Sequence, residues 1–166
     1  VLEAADGQLF GEPGAQIFTD FCYDSRRVQP GEGFVALKTG GGDGHQYIGD
    51  AIAGGATGVM CTNPPSIDTQ GVTIIVMRSV EDALMRWAQL ALRKYGTTVI
   101  AVTGSAGKST TKEAIAQVLG TRYRVYKSDS SVSGRLSLPL ALGRLTQDYP
   151  LAVLEFGIDQ PGEMAA

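Results

Sequence analysis

One stretch constrains this chain more than any other: "VTGSAGKST" at 102–110. An apolar run, "TVIAV" (98–102), leads into it, and a helix-forming run, "STTKEAIAQVLG" (109–120), follows. Strand, glycine turn, lysine, hydroxyls and helix in that order make a phosphate-binding unit. Glycines let backbone N–H groups converge on phosphate oxygens. Lys108 supplies a point charge for β- and γ-phosphates, Ser109 offers a ligand to Mg²⁺, and the helix N-terminus adds its dipole. The strict pattern requires another glycine five residues before Gly107, where this chain has Val102. The expected nucleotide-contacting set is Gly104, Ser105, Ala106, Gly107, Lys108, Ser109 and Thr110. A glycine-rich βα turn with an exposed lysine is the rival reading; the placement between strand and helix favours phosphate.

The rest of the chain alternates short strands with helices, which predicts an α/β fold with a parallel sheet. "QIFTDFCYD" (16–24), "GFVAL" (33–37), "TGVMC" (57–61) and "VTIIVM" (72–77) read as strands, with "VQPGEG" (28–33) as turn chemistry. "HQYIGDAIAGGA" (45–56) reads as a short helix stopped by Gly54-Gly55. "SVEDALMRWAQLALRKY" (79–95) is the strongest helix: Ser79 and Asp82 make a capping-box variant, and Val80, Leu84, Trp87, Ala88 and Ala91 share a face. Gly96 ends it. A domain boundary is expected there, giving a small N-terminal α/β domain (1–96) and the start of a parallel-sheet P-loop domain (97–166). In the second part "RYRVYK" (122–127) reads as a strand, "LSLPLALGRL" (136–145) as helical after Pro139, and "LAVLEFGI" (151–158) as a buried strand ending at Glu155. Only two or three strands of an open sheet fit, so the chain is expected to be the N-terminal part of a larger protein.

Composition removes several classes. A net charge of −3 argues against broad electrostatic binding of nucleic acid. No apolar run approaches the ~20 residues of a membrane span, and nothing at the start resembles a signal peptide. Cys22 and Cys61 form neither a disulfide framework nor a metal-ligand spacing, which suits a reducing cytoplasm. His45 is the only histidine, so a histidine-rich metal site is excluded, and packing of its turn is favoured over acid–base catalysis. Glu155, at the C-terminal end of an apolar strand, falls where open α/β sheets form their ligand crevice. A carboxylate placed there is expensive to bury alone, and a Mg²⁺ partner supplies a reason for it.

"VTGSAGKSTTKE" (102–113) resembles the nucleotide loop of the Mur ligases, whose Walker sequence is shortened to TG(S/T)xGK(T/S)T. Its Thr-Lys-Glu most resembles the branch that adds D-alanyl-D-alanine to UDP-N-acetylmuramoyl-tripeptide. "YDSRRVQPGEGFVALKTGGGDGHQYIGDAIAGGATGVM" (23–60) is similar to that family's N-terminal domain, and "LAVLEFGIDQPGEMA" (151–165) to its strand ending in Glu with a Pro-Gly-Glu turn. The resemblance runs from about residue 16 to the end.

The resemblance implies an ATP-dependent amide-bond ligase of cell-wall precursor assembly, working in the cytoplasm with ATP and Mg²⁺. Phosphoryl transfer to the terminal carboxylate of the UDP-linked peptide gives an acyl phosphate, which the amine of D-alanyl-D-alanine attacks. Lys108 and Glu155 would be catalytic, with Ser109 and Glu155 holding the metal. Ser25, Arg26, Gly40, Gly41 and Gly42 would face uridine and pyrophosphate; a solvated turn is the rival reading of "DSRR". One region departs from the family. Its asparagine-rich "GNxNN(D/E)xGxP" is matched by "SDSSVSGRLSLP" (128–139), so that Ser131, Ser133, Gly134 and Arg135 replace asparagines and an acid. A sister ligase adding a different amino acid, and a divergent non-catalytic module that binds nucleotide and UDP-sugar-peptide, remain as alternatives. An unrelated P-loop kinase or GTPase leaves residues 16–60 unexplained.

Overall fold

The structure, a computed structural model, describes residues 6–39, 42–128 and 136–157. The chain forms two compact units, residues 1–87 and 88–166. The division falls inside a helix, ahead of the Gly96 boundary expected from sequence.

The first unit carries a five-stranded sheet. Its strands are β1 (Gln8–Phe10), β2 (Phe21–Cys22), β3 (Gly33–Val35), β6 (Gly58–Cys61) and β7 (Thr73–Val76), in the order β1-β7-β6-β3-β2. Strands β2, β3, β6 and β7 run parallel, and β1 closes one edge antiparallel to β7. The central strands are nearly all apolar because both of their faces are covered: Phe34, Val59, Cys61 and Ile74 are buried in one cluster with Ile48 and Ala51. Those last two belong to α1 (Ile48–Ala53), which follows a 3-10 turn at Gly44–Tyr47. A short hairpin, β4 (Lys38–Thr39) with β5 (Gly42–Asp43), joins β3 to that turn.

The nine-residue strand expected at 16–24 contracts to Phe21–Cys22. It pairs with β3 alone, and its approach is irregular: the Thr19 N–H donates to the Gly31 carbonyl, and the Asp20 side chain accepts from Phe21 N–H at 2.8 Å. The 45–56 helix likewise divides into the 3-10 turn and α1. Helix α2 (Val80–Tyr95) begins as its sequence indicates, with Ser79 Oγ accepting from Asp82 N–H at 3.2 Å. Within the first unit it buries Val80, Ala83 and Leu84 and sets Trp87 edge-on to Phe21.

The second unit contains β8 (Thr98–Val102), α3 (Lys108–Gly120), β9 (Val125–Lys127), α4 (Ser137–Ala141) and β10 (Leu151–Glu155). All three strands are parallel, and β10 lies between the other two. Helix α3 packs on β9 and β10. Helix α4 starts two residues before Pro139 rather than after it. A proline fits there because the first-turn N–H groups have no intrahelical acceptor. Among the described residues, no helix is long and apolar enough to cross a membrane.

Candidate functional site

Five residues, 103–107, connect β8 to α3. Gly104 and Gly107 have φ of +146° and +73°, conformations that side-chain-bearing residues rarely adopt, so glycine is required at both turns of the loop. Helix α3 has no side-chain cap at its N-terminus, and its first internal bond is Thr111 N–H to the Gly107 carbonyl. The leading amides of the helix are left for a ligand, beside the positive end of its dipole. Ser105, Ala106 and Thr110 are exposed around the loop. Lys108 Nζ donates to the Gly104 carbonyl at 2.9 Å, arching back over the loop. An ammonium group has three donors, so this contact leaves two.

Register carries the second half of the site. In the β8–β10 pairing Glu155 stands opposite Val102, so the last residue of β10 is level with the start of the loop. The Glu155 backbone N–H is accepted by Ser128 Oγ at 3.1 Å, and Phe156 N–H continues the ladder to the Val102 carbonyl at 2.9 Å. The side chain reaches the first turn of α3, where Ser109 Oγ donates to Oε2 at 2.9 Å, with Oε1 at 3.1 Å. Hard oxygen donors beside a phosphate cradle fit Mg²⁺, which usually keeps several waters and takes only one or two carboxylates plus phosphate oxygens. Among the described residues no group of three or more His, Cys, Asp or Glu is placed to hold a metal by itself.

Sequence reasoning overlooked Lys112. This residue is only 1% exposed, donates to the Ser128 carbonyl at 2.6 Å and lies 3.7 Å from Glu155 Oε2. Its signal was available, since Lys112 follows Ser109 by three positions and so shares its face of the helix. The next residue, Glu113, pairs at 2.6 Å with Lys127, whose hydrogen bond holds the carboxyl below its ordinary range.

The first unit gathers its candidates on one rim. Ser25 follows β2, the β4–β5 hairpin follows β3, and residues 62–67 follow β6, all at the C-terminal ends of parallel strands. Ser25 opens a 3-10 turn capped by Asp24. Arg26 lies across that cap: its Nε and Nη2 each donate to the Asp24 carboxylate at 2.8 Å. This clasp lowers Asp24 to about 2. Gly42, at φ +150°, sits in the hairpin; Gly40 and Gly41, like Ser131, Ser133, Gly134 and Arg135, lie outside the described residues.

A cleft of about 360 Å³ opens beside the hairpin, lined by Asp43, His45, Ile48, Asn63, Pro64 and Ser66 among others. His45 Nε2 accepts from Thr62 N–H at 3.0 Å, so the ring proton is on Nδ1 and is donated to Asp43 Oδ1 at 2.7 Å. Both ring nitrogens are thereby used in joining the hairpin to the end of β6. Burial raises Cys61 to about 11, which leaves an inert thiol in the core.

The Mur ligase middle domain matches residues 102–166. A UDP-N-acetylmuramoyl-tripeptide–D-alanyl-D-alanine ligase of Bacillus subtilis is 35% identical over 145 residues, which are 85% of this chain and 31% of that protein. Its Escherichia coli namesake is 33% identical over 153 residues, 92% of this chain and 33% of that protein. Among solved structures, the MurF ligase of Thermotoga maritima in complex with ADP superposes with a TM-score of 0.72 at 31% identity, covering 88% of this chain and 34% of that one. The Acinetobacter baumannii UDP-N-acetylmuramoylalanyl-D-glutamyl-2,6-diaminopimelate–D-alanyl-D-alanyl ligase gives 0.84 at 26% identity, over 98% of this chain and 36% of that one. The chain spans about a third of the length of the curated relatives it matches.

Proposed function

The chain belongs to the Mur ligase family, and from that premise we propose that it is the front portion of an ATP-dependent ligase joining D-alanyl-D-alanine to a UDP-N-acetylmuramoyl-tripeptide. The carrying observation is the convergence of Ser109 and Glu155, from α3 and β10, beside an uncapped helix N-terminus. A phosphate loop alone serves many reactions. A loop with a strand-end carboxylate on its first hydroxyl serves those in which a metal-bound triphosphate is held and its γ-phosphoryl transferred.

The leading amides of α3 hold the phosphates, and the glycines at 104 and 107 let the backbone approach them. Lys108 exchanges its contact with the Gly104 carbonyl for the transferring phosphoryl group and stabilises charge there. Ser109 and Glu155 would hold Mg²⁺, which would supply positive charge to offset that of the phosphates. The acceptor is the terminal carboxylate of the UDP-linked peptide; the resulting acyl phosphate is consumed by the amine of D-alanyl-D-alanine. Ser25, Arg26 and Gly42, on the rim of the first unit, serve the UDP end together with Gly40 and Gly41. The Asp24 clasp takes two of the five N–H donors of Arg26 and leaves three for a pyrophosphate. The reaction is assigned to the cytoplasm, where ATP and the UDP-linked precursor are available.

Full-length protein carrying this segment tests the reading. Phosphate release from ATP should require both UDP-N-acetylmuramoyl-tripeptide and D-alanyl-D-alanine. Equal release with 2,6-diaminopimelate and the dipeptide-linked precursor would assign the chain to a sister ligase. No release with either pair, alongside retained nucleotide binding, would make it a binding module.

A further inference from the structure

Helix α3 presents an anomaly. Its sequence offers Ile115, Val118 and Leu119 for burial, yet the residue it buries is Lys112. Val118 is 69% exposed. An ammonium group out of water is costly unless it is paired and hydrogen-bonded, and the partners here are specific. Nζ donates to the Ser128 carbonyl at 2.6 Å and lies 3.7 Å from Glu155 Oε2. Glu113 is more distant, at 3.9 Å, and its carboxylate is engaged by Lys127 at 2.6 Å. Among these carboxylates, the charge of Lys112 is therefore directed chiefly at Glu155. Ser128 closes the circuit, because its Oγ accepts the Glu155 backbone N–H.

We propose that Lys112 is a positioning residue for the cation site: it fixes the Glu155 carboxylate against α3 so that it faces Ser109. This rests on the reading of Glu155 as a ligand to Mg²⁺. A glutamate at a strand end has several rotamers, some of which turn the carboxylate away from the loop. A buried cation one helical turn beyond Ser109 favours those that stay. Because Ser109 and Lys112 share one helix face, hydroxyl and ammonium approach the carboxylate from fixed points three residues apart. The site is then formed before metal arrives, and Lys112 need not touch metal or nucleotide.

The test is a double-mutant cycle on full-length protein, reading Mn²⁺ affinity in the ADP complex by electron paramagnetic resonance, with metal-free ADP affinity and a thermal melt alongside. Lys112→Met should weaken Mn²⁺ binding at least fivefold while changing metal-free ADP affinity less than twofold. In a Glu155→Gln background the same substitution should have no further effect. Lys112→Arg, which keeps the charge, should recover part of the loss. If the methionine variant fails to fold, Lys112→Gln, which keeps a donor on the Ser128 side, answers the same question. Weaker Mn²⁺ binding in Glu155→Gln with none in the Lys112 variants would overturn the positioning role alone. Unchanged binding in Glu155→Gln would overturn the assignment of Glu155 itself. Equal losses from Lys112→Met in both backgrounds would mean that it acts independently of Glu155, also against the proposal.

Discussion

The Ser109 hydroxyl lies 2.9 Å and 3.1 Å from the two carboxylate oxygens of Glu155, although 46 positions separate the residues. One is the second residue of a helix and the other the last residue of a strand. They meet because β10 is inserted beside β8 in a register that brings its end level with the loop. On the proposed reading, this pairing holds two metal donors in place before any ligand binds.

Removing the charge of Glu155 should therefore affect both chemistry and fold. Glu155→Gln in the full-length ligase is expected to lower phosphate release by about 10²-fold or more, the scale for deleting one electrostatic contact to a transferring group. Its melting temperature should fall as well, because the neutral side chain no longer balances the buried Lys112 ammonium 3.7 Å away. Steady-state phosphate release beside a melt checks both, and wild-type turnover in this variant would refute the metal assignment.

Lys108→Ala separates the two units by function. The residue is partly exposed and donates to the Gly104 carbonyl of its own loop. Acyl phosphate formation should be lost, while calorimetry should give UDP-N-acetylmuramoyl-tripeptide affinity within about twofold of the parent, less than 0.5 kcal/mol. An equal loss of both would contradict binding of that substrate by the first unit.

The Asp24–Arg26 clasp predicts a pH dependence of definite sign. The side-chain hydrogen bond from Arg26, foremost, holds Asp24 down at about 2 in the folded chain. A carboxyl depressed on folding stabilises fully above its unfolded value and loses that contribution as pH falls through the folded one. The clasp should persist at pH 4 and open toward pH 2. NMR of the Arg26 Nε–H should follow a midpoint near 2, and in Asp24→Asn that titration should vanish. A midpoint near the ordinary carboxylate value would mean that the clasp does not form.

Gly44 has no room for a side chain. A Cβ there would stand 2.8 Å from both the backbone N and O of Leu37, beside the bond from Gly44 N–H to the Leu37 carbonyl. Gly44→Ala should destabilise by about 1–3 kcal/mol, as forced overpacking does, and weaken UDP-substrate binding through the displaced hairpin. Chemical denaturation with a substrate titration reads both. Unchanged stability would show that the hairpin yields freely.

Much of the architecture was legible where local chemistry and tertiary need agree. "TVIAV" became β8 with its expected bounds, Ser79 capped α2, and the glycine loop led into a helix. Legibility failed where the neighbour across the sheet decides. "QIFTDFCYD" has strand composition, but only Phe21 and Cys22 find a partner strand. "QLF" carries too little pattern to announce β1, which exists because β7 offers it an edge. Lys112 was missed for the opposite reason: helical lysines normally face solvent, and only the unforeseen placement of Ser128 and Glu155 makes burial favourable.

The strand order of the second unit also dictates when the loop gains its support during synthesis. Strands β8 and β9 are successive in the chain but do not touch; β10, made last, is the strip that joins them. A nascent chain extended as far as Lys127 holds every residue of the phosphate loop and its helix, yet has no ladder between its two strands. Pairing among these three strands must wait for residues 151–155, which join the other two. A ribosome pausing between Ser128 and Pro150 would leave two unpaired strands seeking partners, the period in which this unit is most exposed to aggregation.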